Sequence, residues 1–97
     1  MEKKINKAVQ HAPGWWVYII EASDGRYYTG ITTDVERRWK QHQNGKLGAK
    51  FFRGRQPRNL VYVESASNRS SASKREAAIK KLSRKQKEIL IATYVTC

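Results

Sequence analysis

The 97-residue sequence predicts an α+β domain, a small three-stranded antiparallel β-sheet flanked by helices in the order β-β-α-(α)-β-α-α. Three observations predict it. Two runs of aromatic and β-branched residues flank the turn signal Asp24-Gly25, and a third such run lies near residue 60. Ser/Thr-x-x-Glu/Gln patterns at Thr33, Ser73 and Ser83 have the form of helix starts.

Trp15-Trp16-Val17-Tyr18-Ile19-Ile20 reads as the first strand and Arg26-Tyr27-Tyr28-Thr29-Gly30-Ile31 as the second, closing a hairpin. A strict two-residue turn at Asp24-Gly25 does not set Tyr18 opposite Tyr28, whereas a loop over 22–25 brings them close. Thr33-Asp34-Val35-Glu36 opens a helix that Gly45 ends after Asn44. That helix turns Val35 and Trp39 toward the core and sets Arg38 and His42, four residues apart, on one face. A short helix over 49–53 follows, and Pro57 breaks the pattern.

Leu60-Val61-Tyr62-Val63 is the third strand, apolar enough for the centre of the sheet. Ser73-Lys74-Arg75-Glu76 opens the next helix, with Ala72, Ile79 and Leu82 near one face. Ser83-Arg84-Lys85-Gln86 starts a short final helix that runs toward Ala92. The folded unit is set at 15–92, between a basic arm of residues 1–14 and a tail of residues 93–97.

Charge bounds the function. Twenty Lys and Arg stand against eight Asp and Glu, a formal +12. From Arg37 to Val63 there are eight basic residues and no acid. Such a stretch suits a polyanion, because each neutralised phosphate releases condensed counterions. Nucleic acid is the expected partner, ahead of an anionic membrane surface or a merely solvated basic face. The lone Cys97 can form neither an intramolecular disulfide nor a metal cluster, which fits a reducing compartment. The first fourteen residues carry Lys3, Lys4 and Lys7 without an apolar run, and no stretch has the length of a membrane span. A cytoplasmic protein is expected.

Trp16-Val17-Tyr18, then Tyr28-Thr29-Gly30, then Arg38 and His42 on a basic helix, then Glu76 on a later helix, together resemble the pattern of the GIY-YIG nucleases. The likeness runs from about Trp15 to Ala92 and is nearest to the small stand-alone bacterial members. It implies that Tyr18 and Tyr28 are the signature tyrosines and that Gly30 lets the backbone turn tightly beneath the site. It implies further that Arg38 is the catalytic arginine, that His42 fills a position held by histidine or tyrosine, and that Glu76 holds the metal, Mg2+ or Mn2+. Trp16 and Thr29 depart from the signature, and no asparagine stands between Arg84 and Leu90 where many relatives carry one.

The chemistry implied is coherent. One carboxylate with several waters is a normal magnesium site, and Arg38 offers a planar fork matched to phosphate oxygens. Tyrosine, with an ordinary pKa near ~10, needs help to act as a base. The resemblance gives that role to Tyr18, with His42 sharing or relaying the proton because an ordinary histidine titrates near neutrality. Each residue also has a plainer reading: hairpin packing for the tyrosines, surface charge for Arg38, and a capping-box acid for Glu76. Against the last, Glu76 lies on the side of Ala72 and Ile79, where an unpaired acid is costly.

Lys46, Lys50, Arg53, Arg55 and Arg58 are the expected nucleic-acid contacts. They are interleaved with Phe51 and Phe52, which either stack on unpaired bases or plug the core. The function expected is metal-dependent endonucleolytic hydrolysis of DNA with weak sequence preference. The rivals are a non-catalytic nucleic-acid-binding module and a basic structural or ribosome-associated protein.

Overall fold

A computed structural model describes residues 14–45 and 49–94. Strands β1 (Trp15–Ala22), β2 (Tyr27–Thr32) and β3 (Pro57–Ala66) form one antiparallel sheet in the order β2-β1-β3. Helix α1 (Val35–Asn44) follows β2, and a 3-10 turn (Lys50–Phe52) precedes β3. Helices α2 (Arg69–Lys80) and α3 (Arg84–Ala92) complete the chain. The α+β class and the element order expected from the sequence are those observed.

β1 is central because its apolar run serves both faces. Trp16, Tyr18, Ile20 and Ala22 face one core with Val35, Phe52, Leu60 and Val63. Val17 and Ile19 face a second core with Val61, Tyr62, Ala72 and Ile79. The alternation is the two-residue period of a strand buried on both sides. Ile19, Ile20 and Ile79 are fully buried, each stabilising the fold by roughly 1.5–3 kcal/mol. α1 and the 3-10 turn therefore cover one face, and α2 and α3 the other.

Several local expectations are corrected. β3 lies at an edge of the sheet, not its centre. It begins at Pro57 rather than after it, since a proline's missing N–H is tolerated at the first residue of an edge strand. The α1 cap is Asp34 rather than Thr33: the Asp34 side chain accepts from the Arg37 N–H at 3.0 Å. Thr32 supports that cap by accepting from the Asp34 N–H at 3.0 Å. Gly45 ends α1 in the left-handed conformation, φ 81°, as the sequence implied.

α2 begins five residues earlier than the Ser73 pattern suggested. Asn68 caps it, accepting from the Ser71 N–H at 2.8 Å. Ser73 and Glu76 are thus interior helix residues, and Glu76 is no capping acid. Only the third pattern is a true capping box, with Ser83 and Gln86 each bonding the other's backbone N–H. On the second face Glu64 ties β3 to α2, accepting from Arg75 Nε at 2.7 Å and from the Tyr62 hydroxyl at 2.5 Å.

Candidate active site

The hairpin register places Tyr18 opposite Gly30, with Ile20 opposite Tyr28. Tyr18 and Tyr28 are diagonal neighbours on one face, their ring centroids 6.2 Å apart. Gly30 matters for space rather than for a tight turn, since its backbone is ordinary strand. A Cβ there would stand 2.6 Å from Tyr18 Oη and 2.7 Å from its Cζ. The glycine is the floor on which the Tyr18 ring lies.

α1 brings His42 onto that ring. His42 is buried and its Nε2 stands 2.9 Å from Tyr18 Oη. Its Nδ1 accepts the backbone N–H of Ala49 at 3.3 Å. A backbone N–H can only donate, so Nδ1 carries no proton, and the neutral ring has its proton on Nε2. His42 therefore donates to Tyr18 Oη and leaves the tyrosine's own O–H free to point elsewhere. Burial pushes His42 down to about 4, and the nearby positive charge of Arg38 acts the same way. Both points correct the expectation of a near-neutral relay, because at neutral pH His42 is an uncharged donor with its other nitrogen occupied.

Burial likewise holds the Tyr18 hydroxyl well above its ordinary value, and Tyr28 and Glu76 reinforce this. Arg38 opposes them, both as a hydrogen-bond donor and as a charge. Arg38 lies one helical turn before His42, and its Nη1 donates to Gln41 Oε1 at 2.9 Å. Glu76 arrives from the other side of the sheet on α2, which packs against β2 as well as β1 and β3. It is half-buried and paired with Lys80 at 3.2 Å. Tyr28, Arg38, His42 and Glu76 thus all contact or act on the charge of Tyr18, whose ring lies over Gly30.

Phe51 and Phe52 wall the site. Phe52 is buried, with ring centroids 5.3 Å from Tyr28 and 4.9 Å from His42, so it plugs the core. Phe51 is half-buried, 5.4 Å from Tyr28. Of the expected nucleic-acid contacts, Lys50, Arg53 and Arg58 are exposed, and Lys46 lies outside the described residues. Arg55 is engaged within the fold: it pairs with Asp24 at 2.9 Å, donates to the Phe51 carbonyl at 2.7 Å and stacks 4.5 Å over the Phe51 ring. Sequence reasoning missed two supports of the site. Gln41 was within reach of inspection, being three residues from Arg38 on α1. The Ala49 N–H carried no signal, because a backbone donor has no side-chain identity.

Among the described residues no three His, Cys, Asp or Glu gather to hold a metal ion. A single carboxylate amid basic groups suits only a hard cation that keeps most of its waters and takes the remaining oxygens from a phosphate. Glu76 fits that limited donor set, and its side chain is 23% exposed.

The fold thus joins a paired-tyrosine hairpin, an arginine-histidine helix and a later helix that carries a glutamate. Residues 14–89 match the model of the GIY-YIG catalytic domain, and the chain belongs to that family. The family is a nuclease superfamily that acts on nucleic acid, generally with a divalent metal. The chain is 57% identical to a UPF0213 protein of Halobacterium salinarum over 76% of this chain and 95% of that one. It is 49% identical to the UPF0213 protein YhbQ of Escherichia coli K12, over 80% and 77% of the two chains. The solution structure of a UPF0213 protein from Bacillus halodurans superposes with a TM-score of 0.53 at 47% identity, covering 81% of this chain and 83% of that one. The solution structure of the protein EF2693 from E. faecalis gives 0.58 at 40% identity, covering 96% of this chain and 90% of that one.

Proposed function

We propose that this chain is an endonuclease that hydrolyses DNA phosphodiester bonds with weak sequence preference, using Mg2+ or Mn2+ held at Glu76. The observation that carries the reading is the donor chain Ala49 N–H to His42 to Tyr18 Oη, set over Gly30 and beside Arg38. Packing alone requires no such fixed tautomer. With Nε2–H donating to it, Tyr18 Oη is prepared to carry negative charge.

In the free protein Tyr18 is a neutral phenol, held so chiefly by burial. A base must first lose its proton, and the surroundings that change when substrate binds are Arg38 and Glu76. Arg38 donates to the phosphate oxygens and lowers the charge that opposes attack. The cation, when bound, neutralises the Glu76 carboxylate and the developing charge on the phosphate. Tyr18 then gives its own proton to solvent and, as the phenolate, takes one proton from the attacking water; the water oxygen bonds to phosphorus, and the leaving oxygen departs with its electron pair and is protonated from solvent. His42 stays uncharged throughout and holds Tyr18 in place.

The exposed Lys50, Arg53 and Arg58 would neutralise backbone phosphates and give affinity without base readout, hence the weak sequence preference. The Lys80 ion pair on Glu76 favours a second reading, a nucleic-acid-binding module in which that carboxylate is already satisfied. Labelled single-stranded, duplex and branched DNA incubated with Mg2+ or Mn2+ separates the two. Wild type is expected to cleave and Glu76→Ala not. Equal cleavage by both would mark a contaminant, and binding without cleavage would favour the module.

A further inference from the structure

We infer that the cavity between the hairpin end and α3 takes an unstacked nucleobase with its phosphate, from a single-stranded DNA segment leading away from the active site. The inference rests on the nuclease reading, which puts DNA at the adjoining site. Arg26, Tyr27, Phe51, Arg84 and Lys87 line a cavity of about 250 Å³. That is below the ~300–1,000 Å³ of sites for drug-sized ligands and suits a single nucleotide unit.

The lining contains three cations, two aromatic rings and no acid. The acids nearby stand outside it and are shared with solvent: Asp24 is 3.7 Å from Arg26, and Glu88 is 3.2 Å from Arg84. Lys87 pairs with no acid among the described residues. The two rings are held by cations rather than left loose. The Arg84 guanidinium lies 4.6 Å over Tyr27 and donates to the Gly25 carbonyl at 2.8 Å, and Arg55 lies 4.5 Å over Phe51. Planar groups fixed beside cations make a stacking platform for a base whose phosphate Lys87 neutralises, with Arg26 and Arg84 alongside.

Position supplies the link to the chemistry. Phe51 lines the cavity and also packs 5.4 Å from Tyr28, so the cavity begins one ring away from the candidate site. Bases inside a duplex have both faces covered by their neighbours, so only an unpaired nucleotide can use this platform. The cavity thereby selects DNA with a single-stranded segment next to the cut.

Fluorescence anisotropy of the full chain in EDTA tests this by comparing a duplex bearing a single-stranded DNA tail with the blunt duplex. Lys87→Ala and Tyr27→Leu are each expected to weaken tailed DNA about tenfold while changing blunt-duplex binding less than about twofold. A 2-aminopurine in the tail is expected to be quenched by wild type and to recover its emission with Tyr27→Leu. Equal losses on both DNAs, or tail binding unchanged and unquenched, would overturn the inference. Should Tyr27→Leu fail to fold, the exposed-end change Lys87→Ala and wild-type quenching still decide it. No bond is cut in EDTA, so tail selection without cleavage in Mg2+ would remove the nuclease reading and leave the cavity's role standing.

Discussion

His42 Nε2 lies 2.9 Å from Tyr18 Oη, and the Ala49 N–H on the far side of the imidazole makes His42 the donor of that bond. The tautomer is dictated by the backbone, and the protonation state by burial. The same relationship fixes what each partner can do when the site is altered.

His42 should titrate far below an ordinary histidine, at about 4. Its folded value is depressed relative to the unfolded chain, so the unfolded state binds the extra proton. Stability is full above about 6.5 and falls as pH drops toward about 4, by on the order of 1–3 kcal/mol. Urea denaturation between pH 7 and 5, where carboxylates remain ionised, should show this slope, and His42→Gln should flatten it. An imidazole NMR titration centred near 6.5 would sink the assignment.

Tyr18→Phe should remain folded yet lose activity by roughly 10²–10⁴-fold, the range for a positioned proton acceptor. It leaves the buried His42 Nε2–H without its partner, at a stability cost of ~1–3 kcal/mol. Cleavage kinetics with a thermal melt measure both, and unimpaired cleavage would take Tyr18 out of the base role.

Gly30→Ala should displace the Tyr18 ring, since its Cβ would lie 2.6 Å from Oη. Overpacking of this kind costs ~1–3 kcal/mol. The cost should shrink in a Tyr18→Ala background, where the ring is gone, and a double-mutant cycle measures that coupling. A cost equal in both backgrounds would mean that Gly30 is needed for something other than room.

Lys80→Ala should lower the Mg2+ concentration needed for half-maximal cleavage, because the ammonium at 3.2 Å competes for Glu76. Its effect on stability should stay within ~0.5 kcal/mol, as expected of an i,i+4 pair whose ammonium end is exposed. An unchanged metal requirement would argue that the cation binds elsewhere.

Asn68→Ala should destabilise the protein by ~1 kcal/mol, as loss of a helix cap does. Ser73→Ala, in the middle of α2, should change it by less than ~0.5 kcal/mol. Chemical denaturation of both variants would check the observed helix start.

Much of the architecture was legible in the residues. The apolar run at Trp15 and the turn at Asp24-Gly25 announced the hairpin, and Gly45 and Ser83 marked helix ends by local bonds that their own side chains or φ make. Where signals failed, equally good local candidates competed. Asp34 stands next to Thr33 and either can cap a helix, and Asn68 lies five residues before Ser73. The sheet order was not readable either. β1 and β3 are both apolar on both faces, because helices cover both sides of the sheet, so the pattern could not tell centre from edge.

For the signature tyrosines and their companions, the spacing alone determined which residues would be candidates: Tyr18, Tyr28, Gly30, Arg38, His42 and Glu76 are all named by sequence pattern. Only the tertiary structure decided their states. It set the Tyr18 ring on Gly30, made His42 a neutral donor through the Ala49 N–H, and carried Glu76 in from the opposite layer beside Lys80. Side-chain type and helical or strand period are local properties of the chain. Desolvation, tautomer and ion pairing depend on groups far apart in sequence that come together only when the sheet and its two helical layers close.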